Sequence, residues 1–340
     1  MKKLVYKNEF YVTVTLIILV AIIQIQSGQF FSANNLVDIA RACILPGMLT
    51  LGVMMQIIAR SIDVSFPATA MVSMYVVTEV ATSSHYTGSV VWLFVFAGAI
   101  GTVLGLINGI FAAWLKLPTL IITLATSSMY MGVLQGVLKC RVIAAMAQPL
   151  EGAAVSYLFT ATNRVSGLTS PLPSVFLLLL LTIAVVYYIM RYTMLGRGIF
   201  AFGGDPVAAL RAGFNTTFTQ IFVFAFMGFL AGMGGLTRTV LTGTCQPTAL
   251  EGYEMVCIAA AVLGGTRLSG GVGNVGGTLL GVLIMTTVSS SLILMGIPTY
   301  WSKLVTGIFI IAGTAISAYQ AVRAQDKSDL VVAAEAVEKT

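Results

Sequence analysis

Long apolar runs separated by short polar breaks dominate the chain, and their lengths select the helix. Ten runs lie near 9–27, 42–59, 66–82, 90–114, 118–138, 174–190, 218–239, 254–266, 274–295 and 301–320. Nine of them fall within the roughly 17–25 residues a bilayer-spanning helix needs. The eighth, 254–266, is too short to cross unaided. Such a stretch reads as re-entrant or broken, and its backbone survives at depth only when protein shields it. Polarity does not alternate within the runs, as the strands of an outer-membrane barrel would require. The pattern predicts an all-α, polytopic integral membrane protein of about ten transmembrane helices.

Composition agrees. Hydrophobic residues are 58% of the 340 and charged residues 9%, against about 25% charged in a soluble domain. Nearly the whole chain is needed to cross lipid, so a single transmembrane domain is expected over 1–325, followed by a short polar tail at 326–340. The first run follows a basic start without a small-residue cleavage site, and reads as an uncleaved span. The net charge of +6 comes from basic residues placed singly at run ends, which reports orientation, not nucleic-acid binding. With the N-terminus cytoplasmic, the inner set is Lys2, Lys3, Lys7, Arg60, Lys116, Arg191, Arg197, Arg211, Arg267, Arg323, Lys327 and Lys339. The outer set is Arg41, Lys139, Arg141, Arg164, Arg238 and Lys303, so 12 against 6 of the 18 fall inside. The positive-inside rule then places both termini in the cytoplasm. The longest outer segment, 139–173, with Pro149, Pro171 and Pro173, reads as an external loop.

Several motifs are decoys. Gly271–Gly276 fits GxGxxG and Leu268–Gly271 reads LSGG. No soluble βαβ unit surrounds the first, and no Walker A motif accompanies the second, because the chain has no Gly-Lys pair. Without that lysine there is no phosphate cradle, so the chain does not hydrolyse ATP, and no catalytic residue or metal site is assigned. The glycine-rich 264–277 stretch reads as a tight turn between packed helices. Cys43, Cys140, Cys245 and Cys257 form no CxxC, and His85 has no second histidine. Gly98, Gly101 and Gly105 in the fourth run are matched by Gly273, Gly276 or Gly277, and Gly281 in the ninth. Small residues so spaced let helices approach closely. A five-plus-five inverted repeat is one reading of the match, and chance glycine spacing the other.

Among the acids, Asp63, Glu79 and Glu254 lie nearest apolar segments. Acids there suggest a role by default. Against that, Glu79 reads as a solvated interface carboxylate. Asp63, in Ser61–Ser65 before Pro67, reads as an N-cap of the third helix.

The polar segment Leu195–Gly213 carries the most information. Asp205 followed by Pro206 is an N-cap with proline at N1, starting a helix over Pro206–Arg211; Gly213 stops it. So short a helix is marginal alone in water and needs a docking surface. Val207 and Leu210 offer apolar contacts, Ala208 and Ala209 permit close approach, and Gly203 and Gly204 permit the turn into the helix. An ordinary cytoplasmic connector is the competing reading.

Taken together, LGRGIFAFGGDPVAALRAGFN (195–215), QPTALEGYEMVCIAAAVLGGTRLSGGVGNVGGTLLG (246–281) and NGIFAAWLKLPTLIITLAT (108–126) resemble the permease subunits of ribose-type ABC sugar importers, and the similarity runs over about 30–320. The family's GGIDLSVG stands here as Ala59–Pro67, ARSIDVSFP, with Asp63 and Ser65 kept; its GYELDAIAA stands as Gly252–Ala260, with Glu254 kept and Val256 in place of the aspartate. The resemblance implies a type II ABC importer plan in a bacterial cytoplasmic membrane. It implies a coupling helix near 205–213, a second permease (identical or different), an ABC ATPase that binds ATP and Mg²⁺, and an extracytoplasmic solute-binding protein. No cofactor of its own is expected. Transport of a monosaccharide-like solute by alternating access follows. Arg197 would hold the coupling loop or face headgroups, and Asp63, Ser65, Asn108, Thr123, Gln246 and Glu254 are the pathway candidates. The alternative is an ion- or proton-coupled secondary transporter.

Overall fold

The protein is described by a computed structural model over residues 8–163, 167 and 169–294, with Trp301, Leu304, Gly307, Ile308 and Ile311 beyond them. The expected tenth span and the 326–340 tail lie almost wholly outside the described residues. In chain order the elements are α1 (Asn8–Ser27), α2 (Ala33–Ala42), α3 (Ile44–Ile58), α4 (Phe66–Ser83), α5 (Val90–Leu115) and α6 (Thr119–Gly132), which runs on into a π turn, Val133–Val137. There follow α7 (Gln148–Ala154), β1 (Tyr157–Thr162), β2 (Thr169–Pro173), α8 (Phe176–Tyr192), α9 (Met194–Gly204), α10 (Pro206–Arg211), α11 (Thr216–Thr242), α12 (Tyr253–Leu263) and α13 (Val275–Leu294). Each of the first nine predicted runs becomes a helix or the larger part of one. The eighth is an 11-residue helix, α12, as its short apolar run implied.

Among the described residues four helices, α1, α5, α6 with its π turn, and α11, are each long and apolar enough to cross a membrane. Two pairs reach that length together but are bent, α2–α3 by 41° and α8–α9 by 72°. The second bend corrects the sequence reading. Glycine weakens a helix by about 1 kcal/mol per residue relative to alanine, so Leu195–Gly204 reads as loop. In the fold it is the helix α9, capped by the Thr193 side chain, which accepts from Gly196 N at 3.1 Å. Its glycines are contact points: a Cβ at Gly196 would press on the Ile189 and Met190 carbonyls.

The core forms around α11, of which 61% of the most apolar window is buried, against 11% for α1. It packs on α3, α4 and α5 through Leu49, Val53, Met71, Met74, Met227 and Ala231. The α5–α11 contact is backbone on backbone. A Cβ on Gly101 would strike the Gly228 carbonyl, and one on Gly228 the Gly101 carbonyl, while Gly105 meets Phe224 O and Gly228 Cα. The ninth-run stripe does different work, because Gly277 and Gly281 of α13 face Gly264 and Ala260 at the α12 end. The two stripes thus meet different neighbours, span seven for the fourth run and span eight for the ninth. The outer face of α5 exposes Trp92, Phe96, Val103, Ile110 and Trp114, an apolar surface suited to lipid.

Successive spans, with α2–α3 taken as one, alternate in direction, as the Gly271–Ile58 and Ile143–Cys245 contacts at the two ends require. The breaks 59–65, 116–118, 193–215 and 264–274 therefore gather at one end, termed the junction end, and 28–32, 84–89, 138–175 and 243–252 at the other. The opposite end carries the second correction. Residues 139–173, read as a loop, hold α7 and the antiparallel hairpin β1–β2, bulged between Tyr157 and Phe159. The hairpin is tied to α2 by Asn34 Nδ2 donating to Ser170 Oγ at 3.3 Å and Ser170 Oγ donating to Asp38 at 3.0 Å. An Ile143–Cys245 bridge joins the same region to the 243–252 loop.

Candidate functional site

Three breaks, two of them glycine-bearing, meet at the junction end. Gly271 N donates to Ile58 O at 2.9 Å, and the Arg60 Nε donates to Ser269 O at 2.8 Å. Gly203, the penultimate residue of α9, lies against both partners: a Cβ there would overlap the Ile58 carbonyl and stand 2.7 Å from Gly271 N. Gly270 and Gly271 adopt φ +85° and +73°, which only glycine takes without strain. A Cβ on Gly270 would also meet Gly203 O at 2.7 Å. The end of α3, the end of α9 and the 264–274 turn therefore touch mainly through main chain, with the Arg60 side chain added across the seam, and a displacement of α9 is felt directly at Ile58.

Beyond this seam α10 projects outward, and its ends are those the sequence predicts. Asp205 Oδ1 accepts from Val207 N at 2.8 Å and Ala208 N at 3.1 Å, a cap that contributes about 1 kcal/mol. At the other end Phe214 N donates to Ala209 O at 3.1 Å and Gly213 N to Leu210 O at 3.0 Å, with Gly213 at φ +86°. That pairing is a Schellman motif, which supplies partners to two of the last carbonyls. Val207, Ala208, Leu210 and Arg211 are exposed, whereas Ala209 is 3% exposed. Ala209 thus faces inward onto its own chain, not outward with Ala208. Helix periodicity alone does not reveal which side of so short a helix docks on the bundle. Gly204 is exposed and in open space. Arg197 is exposed too and, among the described residues, reaches Met194 Sδ at 3.7 Å and does not brace the loop.

A second feature lies just inside the junction, where α3 breaks before α4. Asp63, Ser65, Asn108 and Thr123, four of the six pathway candidates, are buried and share one network. Asp63 Oδ1 accepts from Ser65 N at 2.7 Å and Ser65 Oγ at 2.6 Å, and Asp63 Oδ2 accepts from Gln56 Nε2 at 3.0 Å. Asn108 Nδ2 donates to Ser65 Oγ at 2.7 Å. The segment is pinned to α6 by Val64 N donating to Thr123 Oγ1 at 3.3 Å and Ile62 N to Thr119 Oγ1 at 2.9 Å. Asp63 is therefore not the N-cap residue; Ser65 occupies that position without a side-chain cap bond. Asp63 serves the turn leading into α4 by accepting the Ser65 N–H.

Gln56 and Thr119 belong to this network and were missed. The signal for Gln56 was present, since a polar amide inside the apolar run Ile44–Ile58 is costly to bury without a partner. Gln246 and Glu254 are not part of the cluster. They lie at the opposite end, Gln246 exposed in the 243–252 loop and Glu254 half-buried in the first turn of α12, where its charge favours the helix dipole. Glycines of the 264–274 turn form the packing seam against Ile58 and Gly203.

The network makes a specific forecast. Gln56 Oε1 and Asn108 Oδ1 are buried without hydrogen-bond partners. In Asp63→Asn, the new amide oxygen keeps the Ser65 bonds, and a flipped Gln56 amide accepts from the new NH₂, filling a vacancy. The melting temperature of the detergent-solubilised protein should then stay within a few degrees of the parent. In Asp63→Ala three buried donors lose their acceptor at about 1–3 kcal/mol each, and a fall of ten degrees or more is expected. Equal melting points for the two variants would refute the network's structural role. Retained stability with lost transport in Asp63→Asn would show that the charge itself is needed.

A family described as "Branched-chain amino acid transport system / permease component" matches residues 35–313. The chain is 32% identical over 296 residues to the ribose import permease protein RbsC of Bacillus subtilis, covering 87% of this chain and 88% of that protein. It is 30% identical over 330 residues to the galactose/methyl galactoside import permease protein MglC of Escherichia coli, covering 94% and 97%. A more distant likeness, 28% over 294 residues, is to the autoinducer 2 import system permease protein LsrC of Yersinia pseudotuberculosis, covering 86% and 80%. No solved structure matches.

Proposed function

The chain belongs to this transport-system permease family and is a ribose-type ABC permease, a multi-pass inner-membrane protein; on that footing we propose that it translocates a monosaccharide-like solute in an ATP-driven importer. In this reading a substrate-binding protein delivers the solute from outside. Two permeases form the path, and ATPase subunits holding ATP and Mg²⁺ dock at the cytoplasmic, junction end. Both termini lie on that same side.

The observation that carries the reading is the seating of α9 on the bundle. Gly203 rests on the Ile58 carbonyl and Gly271 while Val207, Ala208 and Leu210 of the following helix stay exposed. A six-residue helix that offers apolar side chains outward and is joined rigidly to the core by main chain suits force transmission. Closure of an ATPase dimer around α10 would press α9 on Ile58. From there the displacement passes along 59–65 to the Asp63 cluster and the facing ends of α5 and α6. The permease would then exchange its open side, the alternating-access step. The energy for this exchange is differential binding between two arrangements, supplied by ATP through the partner.

The test uses the intact assembly with its co-encoded ATPase and binding protein. Ala208→Cys should gain labelling over the parent by a membrane-impermeant maleimide in inside-out vesicles stripped of the ATPase, lose it when the ATPase is restored, and gain none in intact cells. Liposomes holding all subunits should accumulate solute only with ATP. Labelling from the outer face, or accumulation by this chain alone without nucleotide, would refute the coupling reading and favour secondary transport.

A further inference from the structure

At the end opposite the junction, α2 and α11 enclose a pocket of about 390 Å³ lined by Asp38, Arg41, Arg238, Thr242 and Tyr253, among others. Two guanidiniums share it. Arg41 donates through Nη2 to Leu241 O at 3.0 Å, satisfying a carbonyl in the last turn of α11 and leaving other N–H donors for the pocket. Arg238, one turn before the end of α11, is half-buried, and among the described residues its guanidinium makes no hydrogen bond or ion pair. The acid in the lining, Asp38, accepts from Ser170 Oγ at 3.0 Å, so it is engaged toward the hairpin.

An arginine stays charged under all working conditions. Placed in a membrane helix it is costly, and it marks a pathway or a ligand. With Asp38 also in the lining, the two guanidiniums leave the concavity one positive charge in excess, which a bound anion offsets. The guanidinium fork matches a carboxylate or phosphate in bidentate geometry. The volume falls in the range of small-molecule sites. We propose that this pocket receives an anionic sugar, bearing a carboxylate or phosphate, with Arg238 and Arg41 on the anionic group and the hydroxyls of Thr242 and Tyr253 beside the sugar ring. The proposal rests on the importer reading, in which this end faces the binding protein.

The experiment reconstitutes the whole assembly in liposomes and loads the binding protein from an equimolar mixture of ribose, galactose, gluconate, galacturonate and ribose 5-phosphate. An acidic member should accumulate. Arg238→Gln should lower its uptake at limiting concentration by about thirtyfold or more, and Arg238→Lys should restore part of it by keeping the charge without the fork. Should Arg238→Gln fail to assemble, Arg238→Lys with parental gel-filtration behaviour and weakened uptake of the acidic solute gives the same readout. Accumulation of a neutral sugar alone, at a rate indifferent to Arg238→Gln, overturns the anionic pocket and leaves the importer standing. Unchanged uptake with loss of co-purified anionic phospholipid assigns the arginines to a headgroup, and the proposal fails. If the loaded binding protein stimulates no ATP hydrolysis, the importer reading itself falls and takes this one with it.

Discussion

Gly203→Ala is expected to abolish ATP-driven uptake and lower the melting temperature, while Gly204→Ala, one residue on, should leave uptake at the parental value and the melting temperature at or slightly above it. The two glycines are adjacent at the end of one helix, and sequence offers no reason to separate them. Neither has a positive φ, so backbone strain does not enter, and on helix propensity alone each alanine should gain up to about 1 kcal/mol. Contacts decide otherwise. A methyl at 203 overlaps the Ile58 carbonyl oxygen, a main-chain atom held by the Gly271 N–H, while a methyl at 204 meets nothing within 4 Å. Relief at 203 requires the loops to part, breaking the 2.9 Å Gly271–Ile58 bond. Overpacking at about 1–3 kcal/mol plus an unpaired buried group at about 1–3 kcal/mol sums to roughly 2–6 kcal/mol. Differential scanning fluorimetry of the purified subunit reads the stability and proteoliposome uptake the coupling. Matching behaviour of the two variants would remove the seam from the mechanism.

Leu210→Glu and Ala209→Glu should fail in opposite ways. Leu210 is 62% exposed and Ala209 3%. A glutamate at 210 stays solvated in the isolated permease, so its melting temperature should not move. When α10 enters an apolar partner groove, that carboxylate must be desolvated without a counter-ion at a cost of several kcal/mol. A penalty of about 3 kcal/mol reduces ATPase association more than a hundredfold, and uptake disappears with it. At 209 the glutamate is forced into the permease's own interior, so the isolated subunit itself is destabilised. Co-purification of the ATPase subunit reads the first effect and thermal melting the second. A Leu210→Glu protein that retains its ATPase and transports normally would show that α10 is a passive connector.

The contrast between these residue pairs shows how far the sequence could be read. The length of the apolar runs located nine of the helices, because a bilayer demands long apolar runs whatever the packing. Asp205-Pro206 and Gly213 located α10, because capping is local chemistry. The cluster of Asp63, Ser65, Asn108 and Thr123 was legible as a set of polar residues beside apolar runs, but its bonds were not. Gln56 completes it from a helix already assigned wholly to the core. Helix α9 and the β1–β2 hairpin were read as loop because glycine and proline weaken local propensity, and long-range contacts override propensity.

Residue types along the chain determined that this protein crosses a membrane through helices, carries no ATPase motif and presents a capped helix between two spans. Each of these follows from short-range physics: transfer of apolar surface from water, the absence of a phosphate-binding lysine, and orphan N–H groups at a helix start. Only the tertiary structure decided that Gly203 and not Gly204 bears the contact, that Ala209 faces inward, and that Arg41 and Arg238 share one pocket. Those facts depend on atoms brought together from positions up to about two hundred residues apart, where Cβ-sized differences in space outweigh the identity of any single residue.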